Sequence, residues 1–228
     1  MKVGPRLIAL ARRSFLAHAP RASRVSFETL PLVHLERGRF PEYPAADPSV
    51  VLTRLAARFG RIVLVDAGGV RANDADLEFI QEAGRKRTLW VDAGSRYATD
   101  AMDLFVAGAE TVTMRWNTLR RASELEEAAA IAQEGALYVG LEFPHGKFLP
   151  HPQDARSATQ VAQLAQDLGI GLVFLTDKAD ADVVRHFPSS TTPRWLQGAS
   201  SHLASELQTW GYQGAIVGPI DLTEEAKA

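Results

Sequence analysis

The sequence has 228 residues, of which 46% are apolar and 23% charged, a composition typical of a folded globular protein rather than a disordered chain. It contains no cysteine, which excludes disulfide bonds, thiolate nucleophiles and zinc sites of the cysteine type. No apolar run approaches the roughly 20 residues needed to cross a bilayer, so the sequence predicts neither a membrane span nor a membrane partner. A chain without cysteine fits a reducing compartment, and we expect a cytoplasmic protein.

The net charge of −2 is distributed asymmetrically along the chain. Residues 1–27 carry six basic side chains and no acidic one, whereas residues 28–228 carry 19 basic and 27 acidic ones. We expect residues 1–28 to form a basic N-terminal arm, either a surface helix or a segment with a membrane, nucleic-acid or targeting role. The acidic body predicts no nucleic-acid partner, because phosphate binding depends on clustered Lys and Arg.

From residue 29 onward, short apolar or β-branched runs alternate with segments of helical composition. The runs predict eight strands, at residues 29–35, 61–66, 88–92, 111–115, 137–142, 171–176, 193–197 and 214–218. The segments between them predict helices, among them 48–59, 75–83, 98–107, 123–134 and 155–168. Continuous apolar strands separated by helices indicate a parallel sheet that is buried on both faces.

Eight such βα units in about 200 residues predict a single (βα)8 TIM barrel over residues 29–222, followed by a tail at 223–228. An open doubly wound sheet is the alternative. That fold has a Gly-rich turn after its first strand, where this chain offers only Gly38.

Two pairs of similar segments predict that the barrel is built from two related halves. Residues 33–40, at the end of the first predicted strand, align with residues 141–148, at the end of the fifth. Residues 107–109 correspond to residues 210–212, which precede the fourth and eighth strands. The offsets of 108 and 103 residues both equal about half of the barrel.

Five motifs resemble the HisA/HisF family of phosphate-binding barrels. They are residues 30–38 (LPLVHLERG), 90–100 (WVDAGSRYATD), 105–110 (FVAGAE), 140–146 (GLEFPHG) and 174–177 (FLTD). They lie in family order over residues 29–220, and the VDAG form of the second motif is that of HisA-related proteins of unassigned activity. The resemblance implies a HisA-type barrel, and the association of such proteins with tetrahydromethanopterin-linked one-carbon metabolism implies a place there.

The resemblance also implies an isomerase or lyase that acts by acid–base catalysis. HisA isomerises a phosphorylated aminoaldose with aspartates at the ends of strands one and five, and the matching positions here are His34 and Glu142. Both side chains titrate, and both are expected at the C-terminal rim, where barrel active sites lie. Thr176 and Asp177 match a threonine and an acid near the reacting sugar. The structural alternatives are a hydrogen-bonded interior histidine and a glutamate in an ion pair.

Asp66 and Asp92 also end predicted strands, so we expect them at the same rim as Glu142. Such a cluster of carboxylates repels itself unless some members are neutral, are paired with Arg96, Arg115 or Lys178, or bind a divalent cation. The family normally needs no metal, and we expect neither a metal nor another cofactor.

The family's phosphate sites lie at turns after strands three and seven, where exposed backbone N–H groups hold the anion. The resemblance therefore implies that substrate phosphate binds at the turn after strand three and at the turn after strand seven, with one further residue after strand four and one after strand eight. The residues are Gly94 and Ser95 after strand three, Gly198, Ser200 and Ser201 after strand seven, Arg115 after strand four and Gly218 after strand eight.

Arg115 lies where the family has a glycine, and Gly218 is followed by Pro219, which has no N–H to donate. We therefore expect a small, singly phosphorylated carbonyl or amino-sugar substrate. The alternative is a non-enzymatic subunit or scaffold that binds a protein partner, and a histidine-pathway isomerase is the least favoured hypothesis. Trp90 and Trp195 are expected in the core, and Trp116 is expected to contact the ligand.

Overall fold

The structure is a computed structural model that describes residues 27–176, 184–185, 187, 191–198, 203–220 and 222. Eight parallel strands close into a barrel in chain order, and β8 pairs with β1. The strands are β1 Glu28–Leu35, β2 Arg61–Asp66, β3 Thr88–Asp92, β4 Thr111–Arg115, β5 Leu137–Phe143, β6 Gly171–Thr176, β7 Arg194–Gln197 and β8 Gly214–Val217. The predicted (βα)8 TIM barrel is confirmed, and closure of β8 onto β1 rules out an open sheet.

The helices cover the outside of this barrel. Those with both ends among the described residues are α1 Pro48–Phe59, α2 Ala67–Ala72, α3 Leu77–Gly84, α4 Ala98–Val106, α5 Ser123–Ile131, α6 Ala158–Leu168 and α7 Ala204–Thr209, with 3-10 turns at Trp116–Thr118 and Pro144–Gly146. Within the described ranges, no helix is long and apolar enough to cross a membrane. The predicted arm lies outside the described residues except for Phe27 and Glu28, and the tail at 223–228 lies wholly outside them.

Local signals set the ends of the best-predicted helices. The side chain of Asp47 accepts the N–H of Ser49 at 2.8 Å, and Pro48 occupies the first turn of α1. Gly60, at a φ of 76°, ends that helix because a left-handed residue interrupts the helical hydrogen bonds. Helix α2 was not predicted, because Gly68 and Gly69 have low helix propensity.

The inside of the barrel is filled by one apolar cluster. Trp90 lies at its centre, 4.4 Å from the Tyr138 ring and 5.2 Å from the Trp195 ring between centroids. A Cβ on Gly171 would lie 2.0 Å from the Tyr138 ring, and one on Gly214 would lie 2.3 Å from the Trp195 ring. Glycines thus make room for the aromatic side chains on neighbouring strands. The predicted core positions of Trp90 and Trp195 are confirmed.

Candidate functional site

Four of the sequence-predicted polar side chains face the mouth of the barrel at the C-terminal ends of its strands. Side chains alternate along a barrel strand, so a residue two positions beyond an inward-facing one also faces inward. This alternation turns His34 inward beyond Leu32, and Asp92 inward beyond Trp90. Arg115 and Glu142 follow the same alternation on β4 and β5. The structure thus brings these four sequence-predicted residues to one end of the barrel.

Asp92, Arg115 and Glu142 form one ion-paired cluster across β3, β4 and β5. Arg115 Nε donates to both oxygens of Asp92, at 2.9 and 3.2 Å, and Arg115 Nη1 donates to Glu142 Oε1 at 2.7 Å. The side chains are 2%, 14% and 20% exposed in that order. Burial lowers the pKa of Arg115, but the charges of Asp92 and Glu142 outweigh it and raise that pKa. The guanidinium therefore stays charged and relieves the carboxylate repulsion expected from the sequence.

One nitrogen of this guanidinium has no hydrogen-bond partner among the described residues. Arg115 Nη2 makes no hydrogen bond to another described residue, while Nε and Nη1 are both engaged. Among the described residues, no group of three or more His, Asp and Glu side chains is arranged to hold a metal ion.

His34 is paired with Glu42, a residue that the sequence analysis did not single out. His34 Nδ1 contacts Glu42 Oε1 directly, and the main-chain N–H of His34 donates to the same oxygen at 3.1 Å. The imidazole is 43% exposed, whereas the Glu42 side chain is only 14% exposed. Burial raises the pKa of Glu42, but the hydrogen bonds from His34 and from the backbone outweigh it and lower that pKa. Glu42 is therefore a buried carboxylate beside a partly exposed histidine.

Asp66 is a helix cap and not a residue of the mouth, which corrects its predicted place. Val63 and Val65 belong to the cluster inside the barrel, so the next residue points outward. The Asp66 carboxylate accepts the N–H groups of Gly68 at 2.9 Å, Gly69 at 3.1 Å and Asp76 at 2.7 Å. These three bonds begin α2 and hold the loop that precedes α3.

The predicted phosphate turn after β3 is closed by packing. Gly94 has a φ of 66°, and a Cβ on it would lie 2.5 Å from Val70 Cα, so the backbone is packed against α2. The N–H of Gly94 donates to Asp92 Oδ1 at 3.2 Å. Ser95 is buried, at 2% exposure. Neither residue is open to an anion in this arrangement.

Carboxylates also satisfy the next N–H groups along this turn. Asp100 Oδ2 accepts the N–H groups of Arg96 at 2.8 Å and Tyr97 at 3.0 Å, and Glu124 Oε2 accepts that of Ala98 at 3.1 Å. The start of α4 is thus filled by the protein's own negative charges. The geometry counts against the predicted phosphate site at Gly94 and Ser95, because a phosphate would have to displace or oppose these carboxylates.

The predicted site residues after β6, β7 and β8 have structural contacts where they are described. The Thr176 hydroxyl donates to Gln197 O at 3.1 Å, and the N–H of Gly198 donates to Ile216 O at 3.1 Å. A Cβ on Gly198 would lie 2.4 Å from Thr176 O, and one on Gly218 would lie 2.9 Å from Leu32 O. Both glycines therefore permit close approach of neighbouring strands.

Three other predicted residues, Asp177, Ser200 and Ser201, lie outside the described residues, so their roles stay predictions. Gln197, which was not predicted, lies two positions beyond the inward-facing Trp195 at the end of β7. Alternation from Trp195 is the signal that identifies it.

Trp116 is a core residue, contrary to the expectation that it contacts a ligand. It is fully buried, its ring lies 5.6 Å from the His151 ring, and the Arg156 guanidinium lies 5.8 Å from it. His151 is also buried, and its Nε2 lies 2.9 Å from Leu119 O. These contacts anchor the loops that follow β4 and β5.

The mouth of the barrel thus offers two chemically different groups. On β1 it offers a partly exposed imidazole that is paired with a carboxylate. On β3 to β5 it offers a fixed guanidinium that can stabilise negative charge on a ligand oxygen. Comparison of the chain with protein-family models finds no match, and comparison with curated proteins finds none either.

Proposed function

We propose that the protein is an isomerase or lyase that acts by acid–base catalysis on a small carbonyl or amino-sugar compound. The single observation that carries the proposal is His34, a partly exposed imidazole inside the mouth of a (βα)8 barrel and paired with a buried carboxylate. Barrel enzymes place their reacting groups at this end, and an imidazole is a competent proton acceptor near neutral pH.

The geometry supports a division of labour between the two sides of the mouth. His34 removes a proton from the carbon next to the substrate carbonyl and returns it to the former carbonyl carbon, while the hydroxyl or amine proton on the first carbon moves to the carbonyl oxygen. The isomerisation therefore consumes no external reactant. Arg115 stabilises the oxygen on which negative charge develops, through Nη2, which makes no hydrogen bond to another described residue. Glu142 accepts a hydrogen bond from Arg115 Nη1 at 2.7 Å, so its role in the proposal is to fix the guanidinium in place.

The charges at the mouth favour a substrate with one phosphate. Asp92, Arg115 and Glu142 together carry one net negative charge, and the turn after β3 is already filled by carboxylates. A second phosphate on that side would be repelled. The anion site of the proposal is the predicted turn at Gly198, Ser200 and Ser201, where Ser200 and Ser201 would bind the anion because the Gly198 N–H is donated to Ile216 O. A place in tetrahydromethanopterin-linked one-carbon metabolism is part of the proposal on the strength of the family resemblance alone.

The backbone also supports the proposed HisA-type barrel of two related halves. Arg37 and Gly38 after β1 have φ values of 52° and 70°, and the aligned His145 and Gly146 after β5 have 53° and 75°. A side chain with positive φ is uncommon, so the same left-handed pair at both aligned positions is informative.

The second pair of similar segments, residues 107–109 and 210–212, also shares a backbone feature. Gly108 before β4 and Gly211 before β8 both have positive φ, at 102° and 78°. Trp90 on β3 and Trp195 on β7 meet in an edge-to-face contact inside the barrel. These matches favour a duplicated half-barrel as the origin of the fold.

The test is a His34→Ala variant, assayed with singly phosphorylated aldoses and aminoaldoses in D2O. Proton NMR then follows exchange of the proton next to the carbonyl, which reports proton removal before any product is known. We expect kcat/KM to fall by about 100-fold or more, the usual contribution of a general base. His145→Asn is the matched control, because His145 is exposed after β5 and asparagine tolerates its left-handed φ. Full activity of His34→Ala would contradict the proposal.

The closed turn after β3 favours one second candidate, a non-catalytic subunit that binds a protein partner. In that case the same panel produces no proton exchange and no rise in melting temperature. Stoichiometric co-purification with a partner then replaces activity as the defining observation.

A further inference from the structure

Glu42 lies in an unusual environment for a carboxylate. It belongs to the loop between β1 and α1, eight residues after His34, and most of its side chain is buried. Its Oε2 is wholly buried and makes no hydrogen bond to a described residue, so Oε1 makes all of its polar contacts there. A buried charge is costly unless it is paired. His34 supplies that pairing through both its ring and its main-chain N–H.

This contact decides which nitrogen of His34 carries the proton. A carboxylate only accepts hydrogen bonds, so Nδ1 of His34 must be the donor. In the neutral ring, the lone pair then lies on Nε2. Since Nδ1 is covered by Glu42 and the ring is partly exposed, Nε2 is the nitrogen that is left for a ligand.

We propose that Glu42 is a positioning residue, which fixes the orientation and tautomer of His34 so that Nε2 accepts the proton of the substrate. The inference rests on the proposed function and deepens it, because it names the group that makes His34 a directed base. The same logic operates wherever a carboxylate orients a catalytic imidazole. Glu42 itself contacts no substrate in this arrangement.

The loop that carries Glu42 is anchored at both ends. Directly after β1, Glu36 and Arg39 exchange main-chain hydrogen bonds of 2.8 and 3.1 Å, which closes a tight turn. Next to Glu42, the Tyr43 hydroxyl donates to Ile220 O at 2.6 Å and accepts the N–H of Ile220 at 3.1 Å. These bonds join the first βα loop to the chain that follows β8. A positioning group needs such support if it is to hold a ring in one orientation.

The test needs no substrate. In ¹⁵N-labelled full-length protein, long-range proton–nitrogen NMR spectra distinguish the two neutral tautomers of each histidine, and a His34→Gln variant assigns the His34 signals. In the native protein at alkaline pH, we expect a protonated Nδ1 and an unprotonated Nε2 for His34. In Glu42→Ala and in Glu42→Leu, which keeps apolar bulk in the buried space, we expect the signals to shift toward the Nε2-protonated form.

Glu36→Ala is the matched control, since Glu36 lies in the same loop but pairs with Arg71 on the surface. We expect it to leave the His34 signals unchanged. An unchanged tautomer in a folded Glu42→Ala or Glu42→Leu variant overturns the role of Glu42, whatever the activity.

The kinetic arm separates this inference from the proposed function. On a compound whose proton the native protein exchanges, we expect both Glu42 variants to lose at least about tenfold in kcat, with little change in KM. A shifted tautomer with unchanged kcat supports the positioning role of Glu42 but contradicts His34 as the base. If His34→Ala loses activity while the Glu42 variants keep the native His34 tautomer and the native kcat, the result supports His34 as the base. It also overturns the positioning role of Glu42.

Discussion

His34 and Glu142 end opposite strands of the barrel, and their surroundings differ in almost every respect. Among the described residues, His34 has one carboxylate partner, and its Nε2 makes no hydrogen bond; the side chain is 43% exposed. Glu142 is 20% exposed and belongs to a three-membered ion cluster with Arg115 and Asp92. The resemblance to the HisA/HisF family implies that the two residues act as an acid and a base. Only His34, however, has surroundings that leave an atom available for proton transfer, its Nε2. Position at a strand end therefore does not by itself make a titratable residue catalytic.

The carboxylates at the ends of β2 and β3 show the same contrast. Asp92 faces the mouth and binds Arg115, whereas Asp66 points outward and accepts three main-chain N–H groups. Both residues are followed by Ala-Gly in the sequence. Asp92 therefore contributes to the polar cluster at the mouth, whereas Asp66 caps a short helix.

The largest expected effect comes from breaking the ion cluster with Arg115→Ala. This change leaves Asp92, which is nearly inaccessible, without its counter-charge, and it also frees Glu142. Removing one partner of a buried ion pair costs about 3–5 kcal/mol, and we expect a loss of that size in the free energy of unfolding. Urea denaturation at pH 7 measures it.

A combined variant provides the control. The triple variant adds Asp92→Asn and Glu142→Gln to Arg115→Ala, which removes the uncompensated charges. We expect it to recover part of the lost stability. If Arg115→Ala alone costs less than about 1 kcal/mol, the cluster is not the buried network described above.

Asp66→Ala is expected to cost about 2 kcal/mol, because the N-cap of α2 and the bond to the N–H of Asp76 are lost together. Asp74→Ala is the control, since Asp74 is an exposed carboxylate in the same loop. A stable Asp66→Ala protein that has lost ligand affinity would return Asp66 to the binding site and weaken the contrast with Asp92.

The Glu42 side of the mouth predicts a dependence of stability on pH. The pKa of Glu42 in the folded protein lies below its ordinary value of 4.5. Its ionised form therefore stabilises the fold above about pH 4.5, and this contribution is lost as the pH falls through the folded pKa. We expect the difference in unfolding free energy between the native protein and Glu42→Gln to shrink as the pH falls below 4.5. A difference that is constant across this range would contradict the lowered pKa.

The strand positions could be predicted from the sequence because a parallel barrel requires continuous apolar runs, as in β2 and β3. Because successive residues of such a run are all apolar, the sequence does not show which of their side chains face inward. In β2, Val63 and Val65 face the interior while Ile62 and Leu64 pack outside, and all four are apolar. No alternation then shows that Asp66 points outward.

The partners of the site residues were harder to predict. Glu42 lies in a loop without periodicity, so nothing in the sequence connects it to His34. Arg115 was expected to bind phosphate, and its pairing with the carboxylates of the rim was one option, but the choice of Asp92 and Glu142 as its partners depends on side-chain register across the sheet. Trp116 follows a strand in a loop, and its burial depends on His151 from another loop. Such long-range contacts leave no local signal.

The smallest effect is expected for Arg71→Ala, which completes the comparison of ion pairs. Arg71 Nη2 lies 2.9 Å from Glu36 Oε1, the same distance that separates Arg115 Nε from Asp92 Oδ2. The Arg71 and Glu36 side chains, however, are 62% and 40% exposed, so water and salt screen their attraction. We expect a loss of no more than about 0.5 kcal/mol in urea denaturation, and less still in 1 M salt. Arg115 has a second carboxylate partner, Glu142, at 2.7 Å. A loss for Arg71→Ala as large as that for Arg115→Ala would therefore mean that neither burial nor the number of partners sets the strength of these pairs.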